Sequence, residues 1–190
     1  MSHPFDRRPV IVAIAGPNGA GKATFFAAFL QQAGLRFINA DEIARALAID
    51  AYEAADLAET IRTALVAQGE SFVFETVFSD PNGAKVDFLQ DAQKRGYTVV
   101  LCFIGLDSPG TSDDRVTMRV LQGGHDVPAD KITARYPRSI ANLARAAATL
   151  QFVWVYDNSD LSHPFRKVAE FENGTRVRAC PPLPDWLPGG

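Results

Sequence analysis

Residues Gly16 to Ala23 read Gly-Pro-Asn-Gly-Ala-Gly-Lys-Ala, and Gly16, Gly21 and Lys22 stand at the spacing of a phosphate-binding loop. Glycines allow backbone N–H groups to face a phosphate with no Cβ in the way. Pro17, Asn18, Gly19 and Ala20 complete the cradle, a following helix adds its positive end, and Lys22 reaches the outer phosphates. The alternative, a glycine-rich turn with a stray lysine, fits poorly between an apolar strand and a helix. The eighth position departs from the pattern. Ser or Thr usually stands there and ligates magnesium; Ala23 has no hydroxyl, and Thr24 lies about 100° further round the helix. Nucleotide binding is expected to survive on backbone amides and Lys22, while magnesium loses its usual protein ligand.

Other residues have types suited to phosphoryl transfer. Asp41 follows a short apolar strand at the end where α/β ligand sites lie, and could accept a hydroxyl proton; it could equally cap the helix that carries Ile43, Ala44 and Leu47. Glu75 ends the strand Ser-Phe-Val-Phe-Glu, so it faces either a cleft or solvent. Arg115 and Arg119 share a helix face ahead of Gly123-Gly124; they are either a pair for phosphate charge on a hinged lid or a solvated face with Asp113 and Asp114. His125 either meets substrate or fixes the turn. Lys131, Arg135, Arg138, Asn142 and Arg145 form a stripe read mostly as solvated, with Arg135 and Arg138 best placed to reach an anion.

The elements that position these residues follow from hydrophobic patterning. Strands are expected at Val10–Ala15, Arg36–Asn39, Ser71–Glu75, Tyr97–Ile104 and Phe152–Tyr156, mostly as apolar runs covered on both faces. Helices are expected at Lys22–Gln32, Ala51–Gln68, Ala84–Arg95, Ser112–Gln122 and Ala129–Leu150, several of them stopped by glycine. The last carries Ile132, Tyr136, Ile140, Leu143, Ala147 and Leu150 at helical spacing. The alternation predicts an α/β fold, a P-loop three-layer α/β/α sandwich on a mostly parallel five-stranded sheet. Arg166–Phe171 and Thr175–Cys180 flank Asn173-Gly174 and predict a small C-terminal β-hairpin, followed by a proline-rich tail. The expected division is a kinase-like domain over 1–165, with the hairpin and tail of 166–190 appended to it.

Composition narrows the function. The chain has 190 residues, is 47% apolar and carries a net charge of −3, which excludes wholesale disorder and argues against a nucleic-acid partner. Cys102 and Cys180 make no metal-type spacing, and Cys102 reads as a buried thiol. No early apolar run is long enough for a membrane span, so a cytoplasmic location without a membrane partner is expected.

Taken in order, Gly16–Lys22, Asn-Ala-Asp-Glu-Ile-Ala (39–44), Phe-Glu-Thr-Val-Phe-Ser (74–79), Arg115–Pro128 with its Gly-Gly-His-Asp-Val-Pro, Arg135–Leu143 and Tyr-Asp-Asn-Ser (156–159) resemble the zeta-toxin-like P-loop kinases. The resemblance is strongest to a short bacterial subgroup known as predicted ATPases. It covers roughly residues 10–160, and it implies that the γ-phosphoryl group of ATP or GTP, with magnesium, passes to a hydroxyl of a small acceptor. UDP-N-acetylglucosamine is the acceptor of the zeta toxins proper. It also implies that Asp41 is the base, that Glu75, with Thr76 and Ser79 nearby, holds the acceptor, that two arginines meet the phosphates, that Asn158 lies near the adenine edge, and that an antitoxin is a possible partner. A nucleotide-binding pseudokinase, impaired at Ala23, is the main rival. An ABC-type ATPase fails for want of an LSGGQ-like signature.

Overall fold

Val10–Ala15 has six consecutive residues shielded from solvent, and it becomes β1 at the centre of a sheet. The computed structural model describes residues 4–121 and 127–189. β2 (Arg36–Ile38), β3 (Phe72–Thr76), β4 (Thr98–Gly105) and β5 (Phe152–Asp157) join β1 in parallel, in the order β2-β3-β1-β4-β5. The expected hairpin forms as β6 (Arg166–Glu172) and β7 (Thr175–Ala179), turning at Asn173-Gly174. It does not stand apart. β6 pairs antiparallel with β5, so the sheet has seven strands among the described residues.

Alternation along β1 divides the core between two faces. Ile11, Ala13 and Ala15 pack beneath α3 (Ala51–Ala67), α4 (Ala84–Lys94) and α6 (Ala129–Thr149), through Leu65, Leu89 and Leu143 among others. Val10, Val12 and Ile14 meet Phe25 and Leu30 on the other face. The single helix expected over Lys22–Gln32 is subdivided. α1 (Lys22–Phe25) widens into π-helical residues Phe26–Leu30 and ends in a 3₁₀ turn, Gln31–Ala33, closed by Gly34. Across the widened turn Phe26 stacks on Phe37, while Phe25 packs on Tyr156 and Phe165. Two further helices are α2 (Ala40–Leu47) and α5 (Pro109–Leu121).

Cys102 lies on the buried side of β4, and burial pushes its thiol up to about 12, which leaves it an inert core residue. Among the described residues no helix is long and apolar enough to cross a membrane.

The proline-rich tail is irregular but docks on the sheet. Leu187 is buried, Trp186 lies 6.1 Å from Phe103 between ring centres, and a Cβ on Gly105 would stand only 2.1 Å from the indole. Glycine at 105 therefore makes room for Trp186. Trp186→Ala should cost roughly 2–4 kcal/mol of folding stability, read by urea denaturation. A loss within about 0.5 kcal/mol of zero would show that the tail merely lies on the surface.

Candidate active site

Three neighbouring strand ends bring the reactive residues together. β1 and β3 are paired so that Ile14 is abreast of Glu75 and Ala15 of Thr76, which sets Glu75 beside the start of the loop. Gly16 follows β1 at φ 149, and a Cβ there would stand 2.1 Å from the Ile104 carbonyl oxygen. No larger side chain fits so close to the β4 backbone. Gly21 precedes α1 at φ 85, in the left-handed region that glycine enters without strain.

Lys22 is 6% exposed. Its Nζ donates to the carbonyl oxygens of Gly16 and Pro17, both at 3.1 Å, and lies 3.7 Å from Glu75 Oε1. The lysine expected to meet phosphates is thus folded onto the loop's own carbonyls, with a carboxylate behind it.

Asn39 was not among the expected site residues, yet it joins two of them. Its Oδ1 accepts from the backbone N–H of Asp41 at 2.8 Å and of Glu42 at 3.4 Å, which starts α2. Its Nδ2 donates to Glu75 Oε2 at 3.1 Å. The cap is therefore Asn39. The alternative reading of Asp41 as the capping residue is corrected, because Asp41 lies inside the helix, where its carboxylate is exposed to the cleft.

A cavity of about 640 Å³ gathers Lys22, Asp41, Glu75, Thr76 and Arg135 on one wall or another, with Asn18 and Gly19 at the loop end. Thr76 Oγ1 accepts from the Phe78 N–H at 3.1 Å. Ser79 is not in the lining. Gly16, Pro17, Ala20 and Gly21 form the loop itself, whereas Ala23 and Thr24 are exposed and lie outside the cavity. Tyr52, Arg62, Lys85 and Lys131 line it without having been expected.

Arg115 sits over the loop, its Cβ close to Gly19 and its Nη2 donating to the Ser159 carbonyl at 3.0 Å. Burial draws its guanidinium below the ordinary value, against the pull of Asp107 and Asp157. The Arg119 side chain and His125 fall outside the described residues. Asn158 is buried and its side chain is spent on protein: Nδ2 donates to the Ala20 carbonyl at 2.9 Å and Oδ1 accepts from the Phe165 N–H at 3.1 Å. It steadies the loop.

Part of the α6 stripe is engaged with the segment after β3, while Lys131 and Arg145 stay exposed to solvent as expected. Asn142 is buried and donates to the Phe78 and Asp80 carbonyls at 3.0 Å; Ser139 Oγ donates to Val77 O at 2.7 Å; Arg145 holds Asn82 O and the Asp87 carboxylate. These bonds fix the segment after β3, where Phe78 is held at φ 62.

The residues present do not complete a P-loop metal site. Ala23 brings no oxygen, Glu75 is engaged by Lys22 and Asn39, and among the described residues there is no cluster of three or more His, Cys, Asp or Glu suited to a metal.

A family model described as zeta toxin matches residues 2–167. Solved structures share the fold. A chain from the PezAT chromosomal toxin-antitoxin system of Streptococcus pneumoniae superimposes with a TM-score of 0.61 at 17% identity, covering 90% of this chain and 74% of that one. A chain of the AvrRxo1-ORF1:-ORF2 complex with ATP gives 0.59 at 17% identity over 89% of this chain. The present chain spans 60% of that one's length. No curated protein matches the sequence significantly.

The Asn39 geometry makes a test with a defined sign. In Asn39→Asp the cap to α2 persists, but a carboxylate replaces the donor facing Glu75. One carboxyl of such a pair has its folded pKa raised, so the stability it contributes is present at low pH and is lost as pH rises through that value. The variant should be roughly 1–3 kcal/mol less stable than the parent at pH 7, and closer to it at pH 4. Thermal melts giving the same deficit at both pH values would show that Asn39 does not face the Glu75 carboxylate.

Proposed function

Because the chain belongs to the zeta toxin family, we propose that it is a nucleotide-dependent kinase, moving the γ-phosphoryl group of ATP or GTP to a hydroxyl of a small acceptor. The leading acceptor is a nucleotide sugar such as UDP-N-acetylglucosamine. One observation carries this reading: Lys22 of the loop and the carboxylates of Asp41 and Glu75 open into the same cavity. A nucleotide on the loop and an acceptor in that cavity would therefore meet at Lys22.

The loop amides and the N-terminus of α1 hold the β- and γ-phosphates. Lys22 exchanges the Gly16 and Pro17 carbonyls for phosphate oxygens, while Arg115, with Arg119 on the same helix, offsets charge as it spreads over the γ-phosphoryl group. Asp41 takes the acceptor's hydroxyl proton. The acceptor oxygen bonds to the γ-phosphorus, the bond from that phosphorus to the β–γ bridging oxygen breaks, and the nucleoside diphosphate leaves. Glu75, Thr76 and Arg135 hold the acceptor. Magnesium carried on the nucleotide would bring charge neutralisation, and Ala23 would offer it no ligand. An antitoxin partner fits the toxin-antitoxin system to which the PezAT neighbour belongs.

A second reading is favoured by Ala23. A chain lacking the metal-ligating hydroxyl could bind nucleotide without transferring phosphate, as a pseudokinase does. Incubation with ATP, magnesium and a panel of nucleotide sugars, with product detection by mass spectrometry, separates the two; a phosphorylated sugar establishes the kinase.

Lys22→Ala should weaken ATP binding on the order of 100-fold by calorimetry, whereas Asp41→Asn should leave it nearly unchanged and lower transfer by roughly 100-fold or more. Equal ATP affinity in Lys22→Ala and the parent would remove the loop from nucleotide binding. Ala23→Ser should raise magnesium-dependent ATP turnover by about tenfold or more with little change in affinity, because positioning affects rate more than binding. No gain across a magnesium titration would show that the missing hydroxyl does not limit the reaction.

A further inference from the structure

Among the described residues Arg62 is a buried cation held by one loose ion pair and a ring face, with no protein hydrogen bond to its guanidinium. It lies on α3, is 5% exposed, and lines the cavity. Its guanidinium rests over the Phe74 ring, 5.0 Å from the centroid. Among the described residues none of the hydrogen bonds involves that guanidinium, and the nearest carboxylate oxygen, Glu59 Oε2, is 3.7 Å away. That carboxylate is itself taken, with Lys85 Nζ at 2.8 Å, and its side chain is 63% exposed to water.

A guanidinium carries five N–H donors in a planar fork and stays charged in proteins. Burying one against a ring face and one distant, solvated carboxylate is costly unless an anion completes it. Burial already draws the Arg62 guanidinium below its ordinary value, and Glu59 opposes this only in part. Lys85 adds a second cation to the same wall, and Lys131 reaches across the mouth to donate to the Tyr52 hydroxyl at 3.2 Å. Asp56 and Glu59 are the carboxylates on this side of the cavity. The ring face of Phe74 leaves the fork's edge as the part that can take two parallel hydrogen bonds.

We infer that Arg62 is an anion-recognition residue: the acceptor carries a carboxylate or phosphate group that docks on the Arg62 fork with Lys85 beside it, leaving its hydroxyl to face Asp41. The hydroxyl end rests on the kinase reading above, whereas the anion site rests on Arg62 alone. Neutral polyols and sugars would then be poor ligands, because they would leave the guanidinium's donors facing groups that carry no charge.

The test uses the full chain with its loop saturated by a non-hydrolysable ATP analogue, so that inorganic phosphate, the probe, reports on the second site. Phosphate should raise the melting temperature of the parent, and Arg62→Met should lose about tenfold or more of the phosphate affinity while binding the analogue as before. Without ligand, Arg62→Met should melt at or above the parent temperature, since a buried charge that its surroundings compensate only in part has gone. Equal phosphate affinity in both proteins overturns the inference, as does an analogue-filled parent that binds no phosphate. A lower melting temperature with unchanged phosphate affinity also overturns it and makes Arg62 a structural residue. If the parent fails to bind the analogue, the kinase reading falls instead. The phosphate comparison is then made in the Lys22→Ala background, where the same two outcomes decide it.

Discussion

The Lys22 ammonium is nearly inaccessible to water, and the arrangement around it follows from that burial. A buried ammonium needs acceptors on several sides. The loop turns two carbonyls inward, and Glu75 supplies the opposing charge. Glu75 can do so because β3 lies beside β1 in the sheet order, in a register that sets the carboxylate level with the loop's start. Asn39 then fixes Glu75 from the end of β2 while starting the helix that carries Asp41. A single cation thus ties three strand ends into one unit. The same bonds suit a switch of partners, because carbonyl oxygens and a carboxylate at 3.7 Å compete weakly with phosphate oxygens bearing full charge.

The far side of the cavity is built differently. α6 is fastened to the segment after β3 by side-chain bonds to backbone carbonyls, from Ser139, Asn142 and Arg145. In the proposed reaction these bonds hold the wall on the acceptor's side. On that reading, nucleotide-side and acceptor-side contacts reside on separate elements. Changes on α3 or α6 would then alter which acceptor fits without disturbing the loop, and changes at Asn158 would act on the loop alone.

The loop and the central strands were legible in the sequence because each depends on near neighbours: β1 keeps its expected bounds, and the glycines of 16–21 take the turn that their spacing predicts ahead of α1. Asn39 was not legible as a link, since its partner Glu75 is 36 positions away and only strand pairing brings them together. Arg62 looked like any arginine on a helix, because its chemistry comes from the Phe74 face and the cavity rather than from its neighbours in the chain. The α6 stripe is legible only in part, for a related reason. Charge at helical spacing resembles a solvated face until a loop settles on it, as residues 77–82 do. The hairpin was recognised from Asn173-Gly174, but its pairing with β5 depends on the edge that β5 leaves open, which no local signal encodes.

The central claim is that phosphate leaves the nucleotide for a hydroxyl held beside Asp41. The most direct measurement follows the label from γ-labelled ATP in the presence of magnesium and a small-molecule extract, with the parent protein and Asp41→Asn side by side. The account predicts label in a phosphate ester with the parent and none with Asp41→Asn, although both bind the nucleotide. Label that stays in ATP with the parent, or appears as inorganic phosphate at the same rate with both proteins, would contradict it.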